Sequence, residues 1–219
     1  PWRDEEPGKI LHEWRQDEMT ATGELPFSPY YGSVDSTPLF LLLAGEYYAW
    51  TADLEVLREL EPNLRAALHW INALADIDGD GYIEYEARSA AGLVNQGWKD
   101  SRDAIINADG TIAKPPIALV EVQGYVYAAK KKLAAVFAAL GDHELAQQLS
   151  REAAQLKRRF NRDFWLKDQN FLALALDGDN HQVTAITSNP GQALWTGIVL
   201  RRLATALVDV LMRNDMFGG

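Results

Sequence analysis

Leu133-Ala134-Ala135-Val136-Phe137-Ala138-Ala139-Leu140-Gly141-Asp142-His143-Glu144-Leu145-Ala146-Gln147-Gln148-Leu149 holds the end of one helix, a two-residue joint and the start of the next. Gly141-Asp142 is a tight-turn pair between two segments of helical composition. Beyond it, Leu145, Leu149, Leu156 and Phe160 recur on one helical stripe. The pattern predicts a helix from Ile117 to about Leu140 and a second from His143 to about Phe164, folded back on each other. The first is mixed: Ile117 to Val126 is apolar with Glu121 and Gln123 embedded, and its end is basic outside.

Upstream, Ser36-Thr37-Pro38 reads as a cap followed by proline at the first helical position. Pro38 to Thr51 is apolar or aromatic almost throughout, so this helix is expected to be buried on most sides. Another helical region runs from Asp53 to about Ala75 with a break near Pro62, its later half carrying Leu64, Leu68, Ile71 and Leu74 at helical spacing. Residues 1–36 are rich in proline, glycine and charge. Residues 76–116 lack helical rhythm, and unstructured stretches of that length in compact domains are usually functional. Within them, Tyr82-Ile83-Glu84-Tyr85 alternates like a short strand. Residues 168–186 read as a β-hairpin turning at Asp177-Gly178-Asp179-Asn180, and a last helix spans about Pro190 to Met212.

Helices joined alternately by tight turns and by long aromatic, acidic loops make an all-α fold of stacked hairpins with the loops gathered on one face. Five or six helices form an open arc, roughly half of a closed toroid. One domain over 1–219 is expected, and exposed apolar helix faces in such an arc favour self-association.

Composition narrows the partners. A net charge of -10 and a pI of about 4.9 disfavour a nucleic acid, which needs a basic face. The basic clusters Lys130-Lys131-Lys132 and Lys157-Arg158-Arg159 lie in amphipathic stretches and read as solvated faces. No apolar run approaches the roughly 20 residues of a membrane span. The longest is Pro38 to Ala44. With no cysteine and four scattered histidines, neither a thiolate nor a paired-histidine metal site is expected, and no cofactor is called for. No secretory signal is evident, so a cytoplasmic location is expected, although Pro1-Trp2-Arg3 and Phe217-Gly218-Gly219 read as cut ends.

The candidate chemistry centres on Gly92-Leu93-Val94-Asn95-Gln96-Gly97-Trp98-Lys99-Asp100-Ser101. Cleaving a glycosidic bond takes an acid for the leaving oxygen, a flat ring for the sugar face and amides for its hydroxyls. Asp100 and Trp98 supply the first two, and the bland alternative is a turn cap beside a core tryptophan. Lys99 and Arg102 work against Asp100 if they pair with it, since a general acid needs its pKa raised. In Tyr30-Tyr31-Gly32-Ser33-Val34-Asp35-Ser36-Thr37, Tyr31 and Asp35 either floor a sugar pocket or serve helix capping and packing. In Glu121-Val122-Gln123-Gly124-Tyr125, the two polar groups either pair internally or line a polar cavity. Of the loop aromatics, Trp2, Tyr30, Tyr31, Tyr82, Tyr85 and Trp98 are the stacking candidates. Asp76-Ile77-Asp78-Gly79-Asp80-Gly81 imitates the start of an EF-hand, but position 12 is Ala87, so a turn held by Asx bonds is expected in place of a calcium site.

In order, Glu6–Glu13, Tyr30–Phe40, Asp78–Tyr85, Asn95–Ser101, Glu121–Tyr125 and Ser188–Trp195 resemble bacterial proteins of the glycogen-debranching, amylo-α-1,6-glucosidase type. These belong to the six-hairpin glycosidases with an (α/α)6 toroid, and the resemblance spans nearly the whole chain. It implies inverting hydrolysis of α-glucosidic bonds with Asp100 as general acid in a Trp-x-Asp motif. It also implies a carbohydrate substrate touched by Tyr31, Asp35, Gln96, Trp98, Lys99, Glu121 and Gln123. Relatives of the trehalase kind have the aspartate directly after the tryptophan, where this chain has Lys99. The family's base is a later glutamate, and none follows Trp195. The chain therefore reads as the acid half of an incomplete toroid, truncated at its C-terminus and nearly inactive alone. The alternatives are a non-catalytic carbohydrate-binding or scaffolding helical domain and a calcium-regulated module.

Overall fold

The computed structural model describes residues 2–217; Pro1 and Gly218-Gly219, read above as parts of cut ends, lie outside them. Helix dominates. The helices are α1 (Glu18–Ala21), α2 (Ser36–Thr51), α3 (Glu55–Ala73), α4 (Val120–Leu140), α5 (His143–Asp163), α6 (Asn189–Thr196) and α7 (Arg201–Leu211). Two small antiparallel sheets accompany them. In one, β1 (Ala118–Leu119) pairs with β4 (Ala175–Leu176), which pairs with β5 (Gln182–Val183); in the other, β2 (Trp165–Leu166) pairs with β3 (Phe171–Leu172).

The α4–α5 joint forms as its sequence demands. Gly141 takes φ 96°, the left-handed conformation that glycine adopts without strain, and Asp142 caps α5 by accepting from the Leu145 amide at 3.1 Å. Leu149, Leu156 and Phe160 are buried against α4, with Leu145 half-buried at the edge. Helix α4 packs on α2, α5 and α6, so α2, α4 and α6 stand in series with α5 laid against the middle member.

Four boundaries differ from the sequence reading. Pro62 does not break α3: it sits on an exposed turn, where water can take the carbonyl that proline leaves unpaired. Helix α2 starts at Ser36 with Asp35 at its N-cap, so Pro38 lies in the first turn and not at its head. The helix expected from Pro190 to Met212 is two, divided where Gly197 turns left-handed at φ 77°. Helix α4 begins at Val120 because Ala118-Leu119 is drawn into the sheet with β4, with Val120 N–H continuing to Leu174 O at 3.1 Å. The hairpin expected over 168–186 is present in part, as β4 and β5, while β3 turns back to β2. Tyr82 to Tyr85 is all buried and makes only a single bridge, Tyr85 to Ile117, in place of a strand.

Helix α2 is less enclosed than its composition predicts. Leu43 is 68% exposed and Trp50 87% exposed, and an apolar groove lined by Phe40, Leu43, Tyr47, Val56 and Leu60 runs between α2 and α3. The basic clusters differ in the opposite sense. Lys130 is buried and ion-paired to Glu152 at 2.8 Å, and Arg159 turns inward to donate to Gly81 O at 2.6 Å. No helix among the described residues is long and apolar enough to cross a membrane.

The N-terminal segment is fastened by Asp4. Its buried carboxylate accepts from Arg88 N–H at 2.9 Å, Ser89 N–H at 3.0 Å and the Tyr30 hydroxyl at 3.0 Å. With Gln96 Nε2 at 3.4 Å, four donors on one buried carboxylate join residues 2–10 to the loop that leads to Trp98. Asp4→Ala leaves them unpaired and is expected to lower unfolding free energy by about 3 kcal/mol in urea titrations. A loss below about 1 kcal/mol would mean that this segment stands outside the cooperative unit.

Candidate functional site

The N-terminal ends of α2, α4 and α6 meet. Each brings one polar residue: Asp35 at the N-cap of α2, Glu121 in the first turn of α4 and Asn189 as the first residue of α6. The loop 92–101 supplies a fourth, Lys99. Its ammonium donates to Asn189 Oδ1 at 2.6 Å and to Ser188 Oγ at 3.1 Å, and Asn189 Nδ2 donates to Glu121 Oε1 at 2.8 Å. This sets the amide's orientation, with its oxygen toward the cation and its nitrogen toward the carboxylate. Thr187 Oγ1 adds a second donor to Asn189 Oδ1 at 3.1 Å. Asn189 has no exposed surface at all. Gly97 lets the loop lie close against α4, since a Cβ there would run into Leu119.

Glu121 is 1% exposed, and its second oxygen, Oε2, has no hydrogen-bond partner. Burial pushes its pKa up to about 7; the Asn189 hydrogen bond and Lys99 pull downward, while the Asp35 charge pushes further up. Burial also lowers Lys99 below the ordinary lysine value, with Glu121 opposing. Three positive helix ends around the cluster favour negative charge, yet desolvation outweighs them at Glu121, because a buried carboxylate loses more hydration than partial backbone charges return.

Asp100 follows directly on this network but is exposed, with no hydrogen bond or ion pair among the described residues. Lys99, weighed in the sequence as a cation pairing with Asp100, is turned to Asn189 instead, and among the described residues no ion pair joins Arg102 to Asp100. Trp98 is 52% exposed, with the Lys99 ammonium 5.0 Å from its ring centre, so one face of the indole is occupied. Asp35 is half-buried and accepts from Ser33 Oγ at 2.5 Å. Tyr31 is half-buried, anchored through its amide to Arg3 O at 2.9 Å. Trp195, also exposed, lies 5.9 Å from Tyr125 at the foot of the same helices.

Two of the sugar-contact candidates are framework. Gln123 is fully buried: its Oε1 accepts from Ile83 N–H at 3.2 Å, and its Nε2 donates to Ile83 O at 2.8 Å and Leu119 O at 3.2 Å. Gln96 is buried, donates to Asp4 at 3.4 Å and borders a void of about 20 Å³, room for about one water. Gln123 serves the backbone of Ile83 and Leu119, and Gln96 serves the Asp4 carboxylate, partners distant in the chain that sequence does not reveal. Among the stacking candidates, Tyr30, Tyr82 and Tyr85 are buried, with Tyr30 donating to Asp4 and Tyr85 to Asn95, which leaves Trp98, Trp2 and part of Tyr31 accessible. Asn189 lay within a recognised motif without being singled out; its helix-start position was the available signal.

The acidic loop is a turn, as its sequence implies. Asp76 accepts from Gly79 and Gly81 N–H, Asp78 from Asp80 N–H, and Asp80 from Tyr82 N–H. Glu84, buried, accepts from Ile77 and Asp78 N–H and comes with Asp76 and Asp78 to within 4.8 Å of one another. No family model matches the chain, and no curated protein matches it.

The raised pKa of Glu121 makes stability pH-dependent in a stated direction. Between an ordinary carboxyl value of 4.5 and about 7, folded Glu121 holds a proton that the unfolded chain releases, so its contribution is full below about pH 4.5 and is lost as pH rises through about 7. Glu121→Gln removes that loss. The variant should gain on the wild type by about 2–3 kcal/mol between pH 5 and pH 8 in denaturant titrations. Parallel pH profiles for the two proteins would show that Glu121 is ionised throughout.

Proposed function

We propose that this chain is an arc of an (α/α)6 toroid that hydrolyses α-glucosidic bonds in an oligo- or polysaccharide, in the manner of amylo-α-1,6-glucosidases. The observation that carries the reading is the convergence of α2, α4 and α6 at their N-terminal ends, with the Trp98–Asp100 loop hung on them through Lys99 and Asn189. Loops gathered on one end of helices standing in series are what a ring of hairpins needs to build a central pocket. In this reading Trp98 carries the sugar face and Asp35 and Tyr31 approach its hydroxyls. Asp100, whose oxygens no other group has claimed, protonates the departing glycosidic oxygen. Lys99, Asn189 and Glu121 position that loop. The base is a glutamate outside this chain, set so that the two carboxyls stand roughly 6.5–9.5 Å apart around a water. The apolar groove between α2 and α3 is a face for further helices of the ring and, when bare, for self-association.

The exposed Asp100 and Trp98 favour one second reading, a sugar-binding helical domain without chemistry. Two measurements separate them. In the full-length gene product, Asp100→Asn should lower kcat for maltooligosaccharide or branched-dextrin hydrolysis by at least about 10³-fold while leaving substrate affinity within a few-fold. In calorimetry on this chain, Trp98→Ala should weaken maltooligosaccharide binding by about tenfold. Unchanged turnover by Asp100→Asn removes the acid assignment; tight binding by the isolated chain together with no hydrolysis by the full-length protein selects the binding domain.

A further inference from the structure

A second polar cavity, about 220 Å³ in volume, lies between the end of α3, the acidic loop, α4 and α5, and shares no residue with the Asp35–Lys99–Glu121–Asn189 cluster. Its wall carries the inward-turned members of the two basic clusters. Lys130, 8% exposed, donates to Asn72 Oδ1 at 2.7 Å and lies 2.8 Å from Glu152 Oε2. Glu152 Oε2 therefore faces a cation, and its carboxylate is the acceptor on this wall. Arg159 spends Nη2 on Gly81 O, but its buried Nε–H has no partner. Asp76 and exposed Gln155 complete the lining.

A buried donor without a partner among the described residues, on a cavity wall that also carries carboxylates, is unfavourable unless something polar fills the cavity. Charge decides what. Lys130 and Arg159 are balanced by Glu152 and Asp76, so an anion meets two carboxylates and a cation meets two cations. A hydroxyl both donates and accepts, and a neutral molecule bearing several uses both kinds of wall group. The volume is below the roughly 300–1,000 Å³ of pockets for larger ligands, so a single ring fits better than a chain. We propose that this cavity is a binding site for one neutral polyhydroxylated ring, a monosaccharide or cyclitol, separate from the Asp100 face.

The test is calorimetry with glucose, myo-inositol and inorganic phosphate on wild type, Arg159→Met, Gln155→Leu and Trp98→Ala. Arg159→Met removes the open Nε–H together with the guanidinium that lies over Tyr82 and donates to Gly81 O, so Gln155→Leu is the second variant: Gln155 is exposed and makes no hydrogen bond among the described residues, and its loss leaves folding intact. Saturable binding of glucose or myo-inositol, weakened about tenfold in Arg159→Met and Gln155→Leu and unchanged in Trp98→Ala, is the expected result. Three outcomes overturn it: no saturable binding of either ring compound, which leaves a cavity holding only water; phosphate bound more tightly than both; or glucose binding lost in Trp98→Ala alone, which places the sugar at the Asp100 face. Because Trp98→Ala reports on the other site, failure here leaves the hydrolase reading standing, and the reverse.

Discussion

The structure depends on one constraint: the first half of α4, Val120 to Lys130, is buried on every side. A helix enclosed this way has no solvated face for polar residues, so each one must find a partner in the protein. Gln123 finds the backbone of Ile83 and thereby fixes the acidic loop against the helix. Lys130 finds Asn72 and Glu152 and ties α3 and α5 together across α4. Glu121 finds Asn189 with one oxygen and nothing with the other. The first two are satisfied and rigidify the framework. The third is satisfied by half: Glu121 Oε2 has no partner among the described residues.

How much of this was legible follows from where the information sits. The Gly141-Asp142 joint and the Leu149, Leu156 and Phe160 stripe are local signals, a conformation only glycine accepts easily and a period only a helix has, and both are realised. The start of α4 was misplaced because Ala118-Leu119 pairs with residues 175–176, a contact that no short window contains. Lys130 and Arg159 look like solvated residues because the sequence shows their own helix faces but not Glu152 and Gly81 across the gap. Pro62 misleads for the opposite reason: the rule about proline is local, but water at an exposed turn relieves it. At the site the same division holds. Trp98-Lys99-Asp100 is visible as a motif, whereas the use of Lys99 depends on Asn189, ninety positions away in the chain.

That use resolves a tension in the motif. A lysine next to a carboxyl proposed as a proton donor would ordinarily stabilise the ionised form and weaken the donor. Directed to Asn189 and Ser188, the ammonium is drawn away from Asp100 and its field is spent on an amide oxygen and on Glu121. The cation thus holds the loop through Asn189 and Ser188 and makes no ion pair with Asp100 among the described residues. The neutral amide of Asn189 stands between Lys99 and Glu121, and burial, which the Asn189 hydrogen bond only partly opposes, holds the Glu121 pKa up at about 7.

The positions of the two carboxyls then make different physical demands. Glu121 already has the environment that raises a pKa, burial without full hydrogen bonding, but its free oxygen has no surface from which to reach a substrate. Asp100 is exposed and has that access. A proton donor needs access and exclusion of water at once, and under the proposed function a bound sugar with a closing wall would exclude water from the exposed carboxyl. No such exclusion opens a path to Glu121 without unpacking α4. Access is the harder property to add, and for that reason the proposed function gives the proton to the exposed residue and leaves the buried one to hold the loop that carries it.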